Sequence, residues 1–156
     1  FKKISEKNRL IGLSWQYYYK KMAEIMDLKK NIISDYPFSD KQKYMLSLIS
    51  KQHSYNIITI RLIADLGILF ERQKQRDLDY GRHLGHILNK YIPGQVINSR
   101  KNADGLLSYD EFAERCLKRE YAKFALGELF EVNVNILSEK IYDELFEKLD
   151  IILDKI

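Results

Sequence analysis

Three side chains that can bind a metal ion follow one another at Asp79, His83 and His86. If residues 77–91 form a helix, spacings of four and three residues put these side chains on one side of it. One carboxylate and two imidazoles are a ligand set suited to zinc, iron or manganese. The outer two ligands would lie about 10 Å apart along the helix axis, so a neighbouring helix would have to supply another ligand. The alternative is a surface pairing of aspartate and histidine without a metal.

Arg76 and His83 are separated by six residues, and this spacing resembles the Arg-x(4–6)-His motif of HEPN-type helical ribonucleases. The resemblance covers residues 76–83 only. It implies an all-helical, usually dimeric endoribonuclease that needs no metal. In that family the histidine handles the proton of the attacking 2′-hydroxyl and the arginine stabilises the scissile phosphate. The resemblance therefore assigns these two roles to His83 and Arg76.

Residues 100–111 are similar to a calcium-binding EF-hand loop. Ligand and turn positions of that loop match Asn102, Asp104, Gly105, Ser108 and Glu111. Arg100 stands where the family places its leading aspartate, which removes a negative charge from the site, so we expect calcium affinity to be weak or absent. The alternative is a polar turn in which Ser108 and Glu111 form the capping box of a helix.

The elements that would position these residues are predicted to be helices, so the fold class is all-α with about five helices. The apolar patterns of about residues 3–34 and 40–75 predict two long helices that form an antiparallel hairpin. Pro37 ends the first helix, and Ser39 caps the second. The β-branched residues 57–60 are equally compatible with a short strand, but the flanking helical pattern favours helix.

Three shorter helices are predicted to pack against this hairpin in a single domain, 1–156. They span about 77–91, 108–130 and from Ser138 to the end, where Ile156 closes an apolar stripe. Residues 131–135 alternate like a short extended segment.

The first helix carries a seam of large apolar side chains at alternating spacings of three and four residues, typical of a coiled coil. A helix this long needs a partner helix of similar length, in this chain or in another. The seam therefore predicts a protein interface or a homo-oligomer through Ile11, Trp15, Tyr18, Met22 and Ile25.

The charge of the chain is divided between its two parts. Residues 1–100 carry 18 Lys/Arg and 9 Asp/Glu, whereas residues 101–156 carry 8 and 13. The basic part could attract nucleic acid, although its charges are scattered along helices rather than clustered. Solvated helix faces are the alternative.

The remaining features exclude several classes of protein. The longest apolar run, residues 56–70, contains Arg61 and Asp65 and is too short for a membrane span. The single cysteine, Cys116, cannot form an internal disulfide, which favours an intracellular, reducing location, with the cytoplasm as the expected compartment. No phosphate-binding glycine loop, dinucleotide fingerprint or nucleophile elbow occurs, so no cofactor is predicted.

The sequence therefore predicts a non-enzymatic helical interaction module that binds protein partners or itself. A HEPN-like metal-independent ribonuclease using Arg76 and His83 is the first alternative. A helical nucleic-acid-binding module without catalysis is the second.

Overall fold

A computed structural model describes residues 1–154, which form five α-helices and one two-stranded parallel sheet. In chain order the elements are α1 Ile4–Asp27, α2 Asp40–Gln52, β1 Ile58–Ile63, α3 Leu66–Leu78, α4 Tyr109–Lys118, β2 Glu128–Asn133 and α5 Lys140–Leu153. The prediction of a mostly helical chain with about five helices is confirmed. The all-α class is wrong because β1 and β2 pair with each other.

The long helical hairpin predicted over 3–34 and 40–75 is also wrong. Helix α1 ends at Asp27, and the second predicted helix is divided into α2, β1 and α3. Asp27 lies 3.1 Å from His53, so the ends of α1 and α2 meet. Trp15 contacts Phe38, which precedes α2, with ring centroids 6.3 Å apart. The two helices therefore run in the same direction along their contact, and residues 28–39 return beside α1.

Both α1 and α2 end before the residues at which the sequence predicted their ends. In each case a residue other than glycine adopts the left-handed conformation just after the last turn of the helix. Lys29 has φ 56° and Ser54 has φ 59°. After α2, the backbone N–H of Tyr55 donates to the carbonyl of Ser50 at 2.8 Å, and α1 ends with the same pattern. This hydrogen bond belongs to the Schellman motif, in which glycine is the usual left-handed residue. No glycine or proline marks these two ends in the sequence.

Strand β1 forms where β-branched residues follow α2, and its parallel partner β2 comes from the distant segment 128–133. The pairing begins directly after Gly127, which has φ 66°. A Cβ at this position would lie 1.8 Å from the carbonyl oxygen of Ile57. The two backbones can therefore come this close only where the residue is glycine. Of the extended segment expected at 131–135, residues 131–133 form the second half of β2, and residues 134 and 135 follow the strand.

The helix predicted over 77–91 does not form beyond α3. Two side chains accept hydrogen bonds from backbone N–H groups two residues ahead, Asp79 Oδ1 from Gly81 at 2.7 Å and His83 Nδ1 from Gly85 at 3.0 Å. Such local bonds offer the backbone an alternative to the helix. Residues 79–91 therefore make turns and one short 3-10 segment.

The predicted helix starts agree more closely with the structure than the predicted ends do. Ser108 and Glu111 form the expected capping box of α4, but α4 ends at Lys118 instead of Phe130. Helix α5 follows Ser138 as expected, and Leu145 lies buried on its apolar stripe. Ile156, the last member of the predicted stripe, lies outside the described residues.

Two small clusters of buried side chains make up part of the interior, and Ile87, Leu88 and Phe112 are buried outside them. One joins α1 and α2 with the segment before β2, through Met22, Met26, Leu46, Ile49 and Phe124. The other joins β2 and its continuation to α5, through Val132, Val134 and Leu145. The accessible surface is 11,705 Å², whereas a folded monomer of 18.6 kDa is expected to expose about 8,200 Å². The chain therefore leaves an unusually large surface uncovered for its mass.

Among the helices of the described residues, none combines the length and the apolar character required to cross a bilayer.

Replacing Gly127 with alanine is expected to lower the free energy of unfolding by about 2 kcal/mol or more, because the new Cβ would displace the Ile57 carbonyl. Gly67→Ala is the control, since a Cβ at Gly67 meets nothing within 4 Å. Urea unfolding followed by circular dichroism measures both variants. Equal stability of Gly127→Ala and Gly67→Ala would contradict the close approach.

Candidate functional site

Residues 76–91, which hold most of the predicted catalytic and metal-binding side chains, are organised around a buried charge cluster. Arg100 is 7% exposed and donates to two backbone carbonyls, that of Asp77 at 3.1 Å and that of Arg82 at 2.6 Å. Asp77 Oδ1 faces Arg82 Nε at 2.8 Å, and Gln73 donates to the other carboxylate oxygen at 2.6 Å. We call Asp77, Arg82 and Arg100 the arginine cluster. It fixes the chain where a helix was expected.

The predicted metal ligands do not share one side of a helix, because Asp79, His83 and His86 all follow the end of α3. Asp79 and His83 each accept a hydrogen bond from a nearby backbone N–H. Within residues 1–154, no group of three or more His, Cys, Asp or Glu side chains is arranged to hold a metal ion. The helical geometry on which the metal hypothesis depended is therefore absent from the described chain.

The surroundings of His86 lower the pKa of its imidazole. Its side chain lies at the surface, yet desolvation by neighbouring atoms is the first cause that lowers its pKa below the ordinary histidine value. The positive charges of Arg82 and Lys7, together with the neighbouring His83, lower the pKa of His86 further, and Asp77 opposes them. The imidazole is therefore held neutral to lower pH than a free histidine.

The two residues of the ribonuclease resemblance lie on different local structures. Arg76 belongs to the last turn of α3 and donates to Gln73, whereas His83 follows the helix and packs edge-on against Tyr91, with ring centroids 4.7 Å apart. Both side chains are exposed. Because His83 Nδ1 accepts the N–H of Gly85, the neutral imidazole carries its proton on Nε2, which can donate a hydrogen bond to a ligand.

The side chains of the calcium-like loop are engaged in structural contacts. Asp104 Oδ1 accepts the backbone N–H of Asn89 at 2.9 Å, and Glu111 Oε2 accepts the N–H and the hydroxyl of Ser108 at 2.8 and 2.9 Å. Arg100, at the leading position, belongs to the arginine cluster, and Asn102 is exposed. These contacts match the capping-box alternative.

The predicted interface seam of α1 is divided between the interior and the surface. Met22 lies in the first buried cluster, and Trp15 and Tyr18 are half-buried. Trp15 packs edge-on against Tyr36 with ring centroids 4.9 Å apart. Ile11 and Ile25 remain exposed, at 47% and 37%. The middle of the seam therefore packs within the chain, and its two ends, Ile11 and Ile25, stay exposed.

A second apolar strip on α1 was missed by the sequence reasoning. Leu10, Leu13 and Tyr17 follow one another at spacings of three and four residues, on the side of α1 away from the seam, and they are 40%, 47% and 63% exposed. We call these three residues the α1 outer strip. Their spacing is visible in the sequence. The seam on the other side of α1 contains a tryptophan and more apolar residues, and for that reason it was chosen as the predicted interface.

Comparisons with protein-family models, curated proteins and solved structures found no match for this chain. The function is therefore argued from the geometry of its own residues.

Neutralising Asp77 is expected to destabilise the fold, because it leaves Arg82 without its partner in a nearly buried position. Asp77→Asn should lower the free energy of unfolding by about 2 kcal/mol. Asp79→Asn is the matched control, since an amide oxygen can still accept the N–H of Gly81. Thermal and urea unfolding should place Asp79→Asn near the original protein, and a similar result for Asp77→Asn would show that the cluster is dispensable.

Proposed function

We propose that the protein is a non-enzymatic helical interaction module that binds protein partners, or itself, through α1. One observation carries the proposal: residues 8–14 of α1 are exposed on every side although they include Leu10, Ile11 and Leu13. Ile11 lies on the seam, whereas Leu10 and Leu13 lie on the outer strip. A helical segment with apolar residues on opposite sides is normally covered by other elements.

This segment of α1 is held in place at both ends. At its start, the backbone N–H of Tyr91 donates to the carbonyl of Phe1 at 2.9 Å, and Lys7 donates to the carbonyl of Leu88 at 3.1 Å. At its far end, Met22 and Met26 are buried against α2. A binding helix ordered before it meets its partner loses less conformational entropy on binding. The anchoring therefore supports use of α1 as a rigid ligand in a helix-binding groove or helix pair.

The size of the uncovered surface supports the same proposal. The excess of accessible surface over that of a typical folded monomer is about 3,500 Å², and stable homodimers bury about 2,000–5,000 Å² in total. The exposed apolar side chains of α1 contribute to this excess. Association would move them out of water at about 25 cal/mol for each Å² of apolar area.

Leu13→Ser is expected to weaken association of the chain, with itself or with a protein captured from its source cells, by about tenfold or more. Its effect on folding should be small because Leu13 is 47% exposed. Sedimentation velocity and quantitative capture on the immobilised chain measure the effect. Leu117→Ser, on α4 and 71% exposed, is the control. If Leu13→Ser matches the original protein in both measurements, α1 is not the binding element.

A second candidate function is RNA binding, with HEPN-like cleavage by Arg76 and His83 as its catalytic form. The observation that favours it is the presence of two cations, Arg82 and Lys7, near His86, where they add to desolvation in lowering the pKa of that histidine. Positive charge in this region would attract phosphate. Arg76 and His83 lie exposed on either side of the end of α3, where a flexible RNA strand could reach both.

Incubation with structured and single-stranded RNA in EDTA tests this candidate. Cleavage that survives EDTA and disappears in His83→Ala, while His53→Gln still cleaves, would support the ribonuclease. Salt-dependent binding without cleavage would instead support a nucleic-acid-binding module. If the chain neither binds nor cleaves RNA, both forms of this candidate function are wrong.

A further inference from the structure

Helix α5 carries an exposed apolar strip beside its buried side. Leu145 faces the buried cluster on β2, whereas Phe146 and Leu153 are 58% and 56% exposed. Phe146 and Leu153 are seven residues apart and therefore lie on the same side of the helix, next to the half-buried Tyr142. We call Phe146 and Leu153 the α5 outer strip. The contacts of α5 with β2 thus cover only part of its apolar surface.

Acidic side chains border the α5 outer strip. Asp143 and Asp150, also seven residues apart, lie beside Phe146 on the helix surface, and Glu147 lies further round on the same side. All three are exposed, and none of them makes an ion pair within residues 1–154. A partner for this surface should combine apolar side chains with positive charge.

The α1 outer strip has the complementary character. Arg9 and Lys20 border Leu10, Leu13 and Tyr17 on one side, and Lys21 borders them on the other. Lys20 and Lys21 share the nearby Glu24, at 4.0 and 2.6 Å, whereas Arg9 has no ion pair in the described part of the chain. An apolar strip with basic borders therefore lies on α1, and one with acidic borders lies on α5.

We infer that the partner of α1 is a second copy of this chain, which places its α5 outer strip on the α1 outer strip, twice around a two-fold axis. This inference rests on the proposed function and adds the identity of the partner. Pairing of α1 with α1, or of α5 with α5, would bring like charges together, whereas α1 with the partner's α5 brings opposite charges together. Two-fold symmetry uses both strips of each chain and leaves neither exposed.

Matched serine variants test the inference in sedimentation velocity over a range of concentrations. The original chain should be a dimer, and Phe146→Ser and Leu13→Ser should each weaken dimerisation by about tenfold or more. Ile151→Ser is the control on α5, because Ile151 is 57% exposed but lies on the other side of the helix from Phe146. It should dimerise like the original chain. Circular dichroism checks that each variant is folded.

Mixing the two damaging variants gives a sharper test. In a dimer of one variant alone, each of the two symmetric contacts contains one damaged strip and one intact strip. In a mixed dimer of Leu13→Ser with Phe146→Ser, one contact contains both damaged strips and the other is intact. The mixture should therefore dimerise more tightly than either variant alone. Loss of folding in either variant would not produce this recovery.

The other outcomes separate this inference from the proposed function. If Leu13→Ser weakens the dimer but Phe146→Ser does not, α1 is the binding element and α5 is not its partner. If the original chain is monomeric at every concentration but still captures another protein through Leu13, the second-copy inference is wrong and the proposed function stands. If the mixture dimerises no better than its components, the reciprocal arrangement is wrong.

Discussion

The parallel pairing of β1 with β2 is the contact on which the arrangement of the whole chain depends. It places Ile58 opposite Glu128 and so connects α2 to α5, which lie far apart in sequence. Parallel strands pair slightly less stably than antiparallel ones and usually have both faces covered. Here α5 packs against β2 on one face, where Ile60 and Leu62 of β1 remain 44% and 54% exposed. Residues 121–126 lie against the other face, where Arg61 donates to the carbonyl of Phe124 at 2.9 Å. The pairing is possible because Gly127 allows the two backbones to meet.

The small interior explains why the outer surfaces of the helices determine the proposed function. Two separate clusters stabilise the two ends of the fold, and many large apolar side chains of α1 and α5 lie outside both. An isolated chain would keep these side chains in water. The proposed association would remove them from water without changing the interior.

The residues that looked most suited to chemistry mainly stabilise the backbone. Arg100 occupies a ligand position in the calcium-like pattern, yet its guanidinium is buried and binds two carbonyls. Asp79 and His83 each satisfy a backbone N–H in a turn. Aspartate, histidine and arginine serve both roles because the same lone pairs and N–H groups bind ligands and backbone alike. Their types and spacing alone could not separate the two uses.

The sequence alone determined the mostly helical character, the capping box at Ser108, the extended character of residues 131–133 and the amphipathic pattern of α1 and α5. These depend on local propensity and on periodicity, which neighbouring residues decide. Tertiary structure decided that residues 58–63 form a strand, that α1 and α2 run in the same direction, and that residues 79–91 form turns. A strand needs its distant partner, and the turns need Arg100 from a later segment, so neither could be predicted from a local window. The structure likewise decided which side of α1 stays uncovered, because burial of the seam depends on contacts with α2 and with residues 28–39.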